Sequence, residues 1–196
     1  AFQDRIYINS ENEKTMTTII ALAWNHWKDI TKPYIENLMS VTVGEFELII
    51  MNNGSTDETA KGLAEMEKKY KNLKVYSSAK NLGFSGGNNF AYKYAHGEFI
   101  VFMNNDVVIN DPLWLEKLKD SAGETSIVGP DLVTWNENAR FRDECIHYIN
   151  GWCLAGSKKL FDAVRENGEV FDEGFGLAYF ADVELCARAM YLGYTL

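Results

Sequence analysis

Cysteine is scarce, and what there is forms no pattern. Cys145, Cys153 and Cys186 are an odd count, none belongs to a C-x-x-C pair, and no His/Cys cluster has zinc spacing. That argues against a zinc module or a disulfide-framed scaffold and for free thiols in a reducing compartment. His26, His96 and His147 are scattered, each better read as structural or exposed than as a ligand. No apolar run approaches the roughly 20 residues that span a bilayer, and the opening "AFQDRIYINS" has no signal-peptide character. Cations are in deficit: 19 Lys and Arg against 28 Asp and Glu leave a net charge of −9. That argues against nucleic acid or an anionic membrane as the main partner. A small anionic ligand stays open, because a metal can supply positive charge locally. The expectation is a soluble, intracellular (cytoplasmic) domain. The ending, "YLGYTL", looks like a strand cut short, so a longer polypeptide is also expected.

What is present is apolar enough for a sizeable core, 46% hydrophobic over 196 residues, which suits one domain. Residues 1–15 are polar and aperiodic, an expected peripheral leader. Then strand and helix patterns alternate. Strands are expected at 17–23, 46–51, 73–77 and 99–103. Helices are expected over about 27–41, after "NNGSTDE" with Ser55 and Glu58 as a capping box, and in "NNFAYKYAH" after the glycine-rich loop "NLGFSGGNN". Such alternation predicts an α/β fold with a mostly parallel central sheet flanked by helices. Residues 111–196 are less regular. Helices are expected at 112–121, 158–167 and 182–192, strands at 127–130 and 147–155, and a Gly/aromatic loop "VFDEGFGLAYF" before the last helix.

Ligands of such sheets bind beyond the carboxyl ends of the strands. Three ends are polar or aromatic: Ala23-Trp24-Asn25, Asn52-Asn53-Gly54, and Asn104-Asn105-Asp106 at the end of "FIVFMNND". A single carboxylate such as Asp106 holds a hard divalent cation well when diphosphate oxygens complete the shell; the same three residues also suit a plain turn. Trp24 offers a flat apolar surface for a nucleobase, or fills the core. The Asn52 carboxamide can pair with a pyrimidine edge, or cap a turn. Asn81 to Asn89 has glycines that let a backbone approach an anion, Gly86 among them, but it is neither G-x-G-x-x-G nor a P-loop. Asp182 in "FADVELCARA" is either a helix N-cap or a general base for an acceptor hydroxyl.

Taken in order, "NNGSTDET", "NLGFSGGNN", "FMNNDVVI", "NGWCLAGSKKLFD" and "FDEGFGLAYFADVELCARAMYLGY" resemble the family 2 glycosyltransferases of the GT-A fold, in particular their rhamnosyltransferase-like members. The resemblance covers residues 17–194. It implies inverting transfer from a UDP- or dTDP-sugar to a carbohydrate hydroxyl, with Mn²⁺ or Mg²⁺. Residues 17–110 would be the nucleotide-sugar half and 111–196 the acceptor half. It further implies that Ala23, Trp24, Asn25, Asn52, Asn81, Gly86, Asn104 and Asn105 bind the nucleotide, that Asp106 holds the metal, that Asp182 is the base, and that Gly151 and Trp152 contact sugar or acceptor. Three positions depart from the family pattern: Asn52 where Asp is common, Asn104 for the first acid of D-x-D, and Ala181 for the Glu before the base. No His follows His147, where such enzymes often offer a metal ligand. These departures leave a competing expectation, a non-catalytic nucleotide-sugar or glycan-binding module. A nucleotidyltransferase is disfavoured, because "AWNHWKD" replaces the basic glycine-rich loop it needs after the first strand.

Overall fold

The structure, a computed structural model, describes residues 16–135 and 146–196. The expected leader at 1–15 and Cys145 lie outside the described residues. Five strands form the main sheet: β1 (Thr17–Ala23), β2 (Phe46–Asn53), β3 (Leu73–Ser78), β4 (Phe99–Met103) and β7 (Cys153–Ser157), in the order β3-β2-β1-β4-β7. The first four run parallel, and β7 runs antiparallel to β4. β1, β2 and β4 are near-continuous apolar or β-branched runs, as strands covered on both faces require.

Alternation along each strand sends neighbours to opposite faces. Ile19, Ala21, Leu48, Ile50 and Val101 pack against α1 (Lys32–Val41), α2 (Thr59–Lys69) and α4 (Trp114–Ala122). Ile20, Ile49, Met51, Ile100 and Phe102 pack against α3 (Gly83–Tyr92), α5 (Lys158–Ala163) and α6 (Ala181–Tyr191). The result is three layers, helices on both sides of one sheet. No helix among the described residues is long and apolar enough to cross a membrane.

Several local expectations are corrected. The helix expected from 27 begins as a π-helical turn, Trp27–Thr31, and becomes α1 at Lys32, with Pro33 in its first turn. No capping box forms. α2 starts at Thr59, whose N–H goes to Asp57 Oδ1 at 3.0 Å, while the Ser55 hydroxyl accepts the Asn25 N–H at 2.9 Å. "GFSGG" is not loop but the first half of α3. The strand expected over 147–155 is two strands, β6 (Ile146–Ile149) and β7, parted by a turn at Asn150–Trp152. β6 pairs with β5 (Leu132–Trp135), for which no strand was expected, in a separate two-stranded sheet. The strand expected at 127–130 is a single bridge, Val128 to Ala155. The helix expected over 158–167 stops at Ala163, and the chain then turns back at Asn167 and Gly168, at φ 52° and 84°, in a turn closed by the Glu166–Glu169 bridge.

Candidate active site

The carboxyl ends of β1, β2 and β4 share one edge, as the parallel register demands: Ala23 lies opposite Asn52, and Ile20 opposite Phe102. Trp24 leaves β1 with 56% of its surface exposed, which removes the core alternative for its indole. Asn25 and His26 follow at φ 59° and 55°, a left-handed pair that turns the chain into the π-helical turn. Asn25 stitches two loops together. Its N–H donates to Ser55, and its Oδ1 accepts the Thr56 N–H at 2.8 Å.

Asn52 is buried, with Nδ2 at 3.5 Å from the Ser77 hydroxyl and Oδ1 accepting the Ser55 N–H at 3.2 Å. Its neighbour Asn53 was only a strand end on the sequence, yet it organises the loop between β3 and α3. Its Oδ1 accepts the Leu82 N–H at 2.8 Å, and its Nδ2 donates to Asn81 Oδ1 and the Gly83 carbonyl at 3.1 and 3.0 Å. Strand alternation was the signal available, since Asn52 and Asn53 must face opposite ways.

The loop reading of Asn81 and Gly86 changes accordingly. Asn81 Oδ1 accepts the Gly83 N–H at 2.8 Å, and the Leu177 carbonyl takes the Phe84 N–H at 2.8 Å, so the first donors of α3 are already engaged. Gly86 sits inside the helix, where a Cβ would lie 3.1 Å from that of Leu82. Both residues line a cavity separate from the one that contains Asp182.

The cavity that contains Asp182, about 550 Å³, brings together Asn104, Tyr148, Gly151, Trp152, Phe180 and Asp182. Asp182 occupies the first turn of α6, after Tyr179 and Phe180 at φ 75° and 63°. Two backbone amides fix its carboxylate: Oδ2 accepts from Gly151 at 2.8 Å, and Oδ1 from Val183 at 3.0 Å. The Asn104 N–H donates to the Trp152 carbonyl at 2.8 Å, tying the end of β4 to the same turn, and Trp152 Nε1 donates to Asp131 at 2.8 Å. The structure thus unites Asn104, Gly151, Trp152 and Asp182.

Asp106 and Asn105 are turned elsewhere. They line a cavity of about 330 Å³ with Asp29, Tyr34 and Asn37, and Asn105 Nδ2 donates to the Thr31 hydroxyl at 2.9 Å. The Asp106 carboxylate is exposed and makes no hydrogen bond or ion pair with another described residue. Among the described residues no three His, Cys, Asp or Glu side chains gather into a metal site. A lone carboxylate of this kind holds a divalent cation well only where a ligand such as a diphosphate completes the shell. Cys153 and Cys186 are buried, which pushes both thiols up to about 12, so they stay protonated and inert. The Cys186 sulfur instead accepts the Ile149 N–H at 3.3 Å.

Two further side chains hold the approach to α6 in place. Asn89 Oδ1 accepts from the amides of Val170 and Phe171, at 3.1 and 3.0 Å. Arg188 donates to the carbonyls of Val164 and Val170 and pairs with Glu184 at 2.7 Å. Neither was singled out in the sequence, because both act on backbone that is distant along the chain.

A family model, glycosyl transferase family 2, matches residues 18–184. The poly-beta-1,6-N-acetyl-D-glucosamine synthase of Staphylococcus epidermidis is 25% identical over 175 residues, 87% of this chain and 42% of its own length. The poly(ribitol-phosphate) beta-N-acetylglucosaminyltransferase TarS of Staphylococcus aureus is 39% identical over 79 residues, 40% of this chain and 13% of its own. Among solved structures, a mannosyltransferase from Pyrobaculum calidifontis, in complex with GDP-Man and Mn²⁺, superposes with TM-score 0.73 at 15% identity, over 94% of this chain and 55% of that one. TarS with UDP superposes at 0.66 and 20% identity, over 92% and 57%. These two likenesses show the GT-A fold. The chain spans less than half the length of the curated relatives it matches.

Proposed function

Because the chain belongs to glycosyl transferase family 2, we propose that it moves a sugar, with inversion, from a UDP- or dTDP-activated donor to a hydroxyl of a glycan acceptor. The observation that carries this reading is the carboxylate of Asp182, fixed by two amides in a cavity it shares with Asn104 from the end of β4. A base held in one orientation is what a single displacement needs: it takes the acceptor proton as that oxygen attacks the anomeric carbon. No covalent intermediate on the protein is required.

The donor lies along the strand ends in this reading. The exposed Trp24 stacks the base. Asn52 keeps one lone pair and one amide hydrogen for the pyrimidine edge. Asp106 holds Mn²⁺ or Mg²⁺ together with the diphosphate, and such an ion would neutralise charge on the leaving group. Asn104 and Asn105 orient that end of β4 beside the donor. Asn81 and Gly86 are left out of the donor site, since their place in α3 and its cap accounts for them. The nucleotide bound to TarS, UDP, and the N-acetylglucosamine polymer that names the synthase favour UDP and a polymeric acceptor. GDP-mannose bound to the archaeal enzyme makes GDP the control.

Titration of UDP, dTDP and GDP with and without Mn²⁺, on the chain and on Asp106→Ala, tests the reading. The expected result is metal-dependent UDP or dTDP binding that weakens by about tenfold or more in Asp106→Ala, roughly 1.4 kcal/mol. Binding that ignores both metal and Asp106 would sink it. A second reading, a binding module without turnover, is favoured by one observation: Ala181, buried beside Asp182, supplies no acid to the cavity. It predicts tight donor binding with neither transfer nor donor hydrolysis.

A further inference from the structure

A second cavity, about 360 Å³, opens on the outer side of α3, between that helix and the loop that leads to α6. Its wall is apolar, from Leu82, Phe90 and Leu177, and Gly86 leaves its floor without a side chain. Lys80 and Lys93 line it and are both exposed. Neither has an ion-pair partner among the described residues. The one carboxylate there, Glu173, accepts from Asn89 Nδ2 at 3.2 Å. Two free ammonium groups against one engaged carboxylate make a local positive excess in a protein of net charge −9. A volume of this size is at the lower end for small-ligand pockets.

The cavity is next door to the one that contains Asp182. The loop between them is a shared wall: Leu177 faces the second cavity and Ala178 the first. Along α3, Phe84 lines the first and Phe90 the second, six residues or about 9 Å of helix apart. Phe90 is backed by two further rings outside the cavity lining. Tyr94 lies 5.6 Å from it, centroid to centroid, and stacks on Tyr76 at 3.9 Å. Aromatic faces beside a row of polar groups suit a carbohydrate, whose rings carry apolar C–H faces and polar edges. Two neighbouring cavities that share a wall suit two units of one chain rather than a single sugar.

We propose that this cavity is a second acceptor subsite, which holds an anionic unit, phosphodiester or uronate, of a glycan chain whose terminal hydroxyl lies at Asp182. The proposal rests on the glycosyltransferase reading above. Lys80 and Lys93 pair with the anionic oxygens, and Phe90 and Leu177 carry the sugar or polyol backbone. Such pairing between exposed charges is screened by salt.

The test is calorimetric titration with three probes: a ribitol-phosphate hexamer, a galacturonate tetramer and the neutral maltohexaose. Each is run on the chain and on the double variant Lys80→Ala/Lys93→Ala, with UDP and Mn²⁺ titrated into the same samples. One or both anionic oligomers should bind, more weakly at higher salt and about tenfold more weakly in the double variant, as two exposed charge pairs allow. Maltohexaose should show no dependence on the lysines. The phosphate and carboxylate probes decide which anion the cavity takes. Anionic oligomers that bind no better than maltohexaose, or equally well in the double variant, overturn the subsite while UDP binding stands. Absence of UDP binding overturns instead the reading on which the subsite rests. Both lysines are exposed, and neither side chain makes a hydrogen bond among the described residues, so the variant should fold.

Discussion

Asp182 keeps its orientation through two main-chain donors. One carboxylate oxygen is held by the Gly151 N–H and the other by the Val183 N–H, at 2.8 and 3.0 Å. If it is the base, Asp182→Asn should leave UDP affinity unchanged and cut transfer by on the order of 10²–10⁴-fold. Equal loss of donor affinity would mean a binding role instead. Gly151 offers a second, subtler probe. A Cβ there would lie 3.1 Å from Asp182 Oδ2 and 3.3 Å from its Cγ, so Gly151→Ala must push the carboxylate aside. A misplacement of about 1 Å costs on the order of 10²-fold in kcat, so the smaller shift needed here should cost roughly several-fold. The donor KM should not move if Gly151 acts through Asp182, whose atoms are the nearest that an added Cβ would meet. A rise in KM at constant kcat would show that Gly151 meets substrate rather than positions the base.

The elements were legible where one periodicity rules over several residues. β1, β2 and β4 are runs of apolar residues too long and too β-branched to read otherwise, and their parallel order followed from the helices between them. What was not legible depends on contacts distant in the chain. The break in the 147–155 run arises because Asn150, Gly151 and Trp152 serve Asp131, Asn104 and Asp182, none of them near in sequence. The start of α3 at Gly83 depends on Asn53, at the end of β2, and on Asn81, in the loop after β3. Glycine's poor helix propensity argued for a loop there. Close packing overrides it: a Cβ on Gly87 would lie 2.9 Å from a Leu22 methyl carbon of β1. Phe102 shows the energetics of the same layer. It meets Phe161 and Phe171 edge-on, at 5.3 and 4.9 Å, and stacks near Tyr92 at 6.0 Å. It is fully buried, so Phe102→Ala should cost about 3–5 kcal/mol, read from urea unfolding. A loss under about 1 kcal/mol would mean the α3–α5–α6 face is not packed as described.

At the scale of the whole molecule, the candidate site and the charge that secures the sheet lie at opposite edges. Glu47, at the start of β2, accepts from the Thr18 hydroxyl of β1 at 2.5 Å and from the His96 amide at 2.7 Å; its other oxygen lies 3.1 Å from His96 Nδ1. Thr18 in turn accepts the Gly97 N–H at 2.8 Å, so one carboxylate ties β1, β2 and the lead into β4. Burial alone would raise the Glu47 carboxyl. The donors from Thr18 and His96 and the charge on His96 more than offset it and hold the carboxyl below its ordinary value. A group lowered in the folded state stabilises the fold in full above its unfolded value, about 4.3. That contribution disappears as pH falls from there through the folded value. Asp57, Glu58 and Asp111 are also lowered, but the first two are exposed and the Asp111 side chain is half-exposed, so all three contribute little. Denaturant unfolding between pH 7 and pH 3 should therefore show a steep loss below about 4.3, and Glu47→Gln should flatten that part of the curve. Donor binding at neutral pH should be the same in both proteins, since Glu47 and Asp182 stand at opposite ends of the strands. Identical pH slopes for the two would assign the acid sensitivity to other carboxylates. A change in UDP affinity would show that the two sheet edges are coupled.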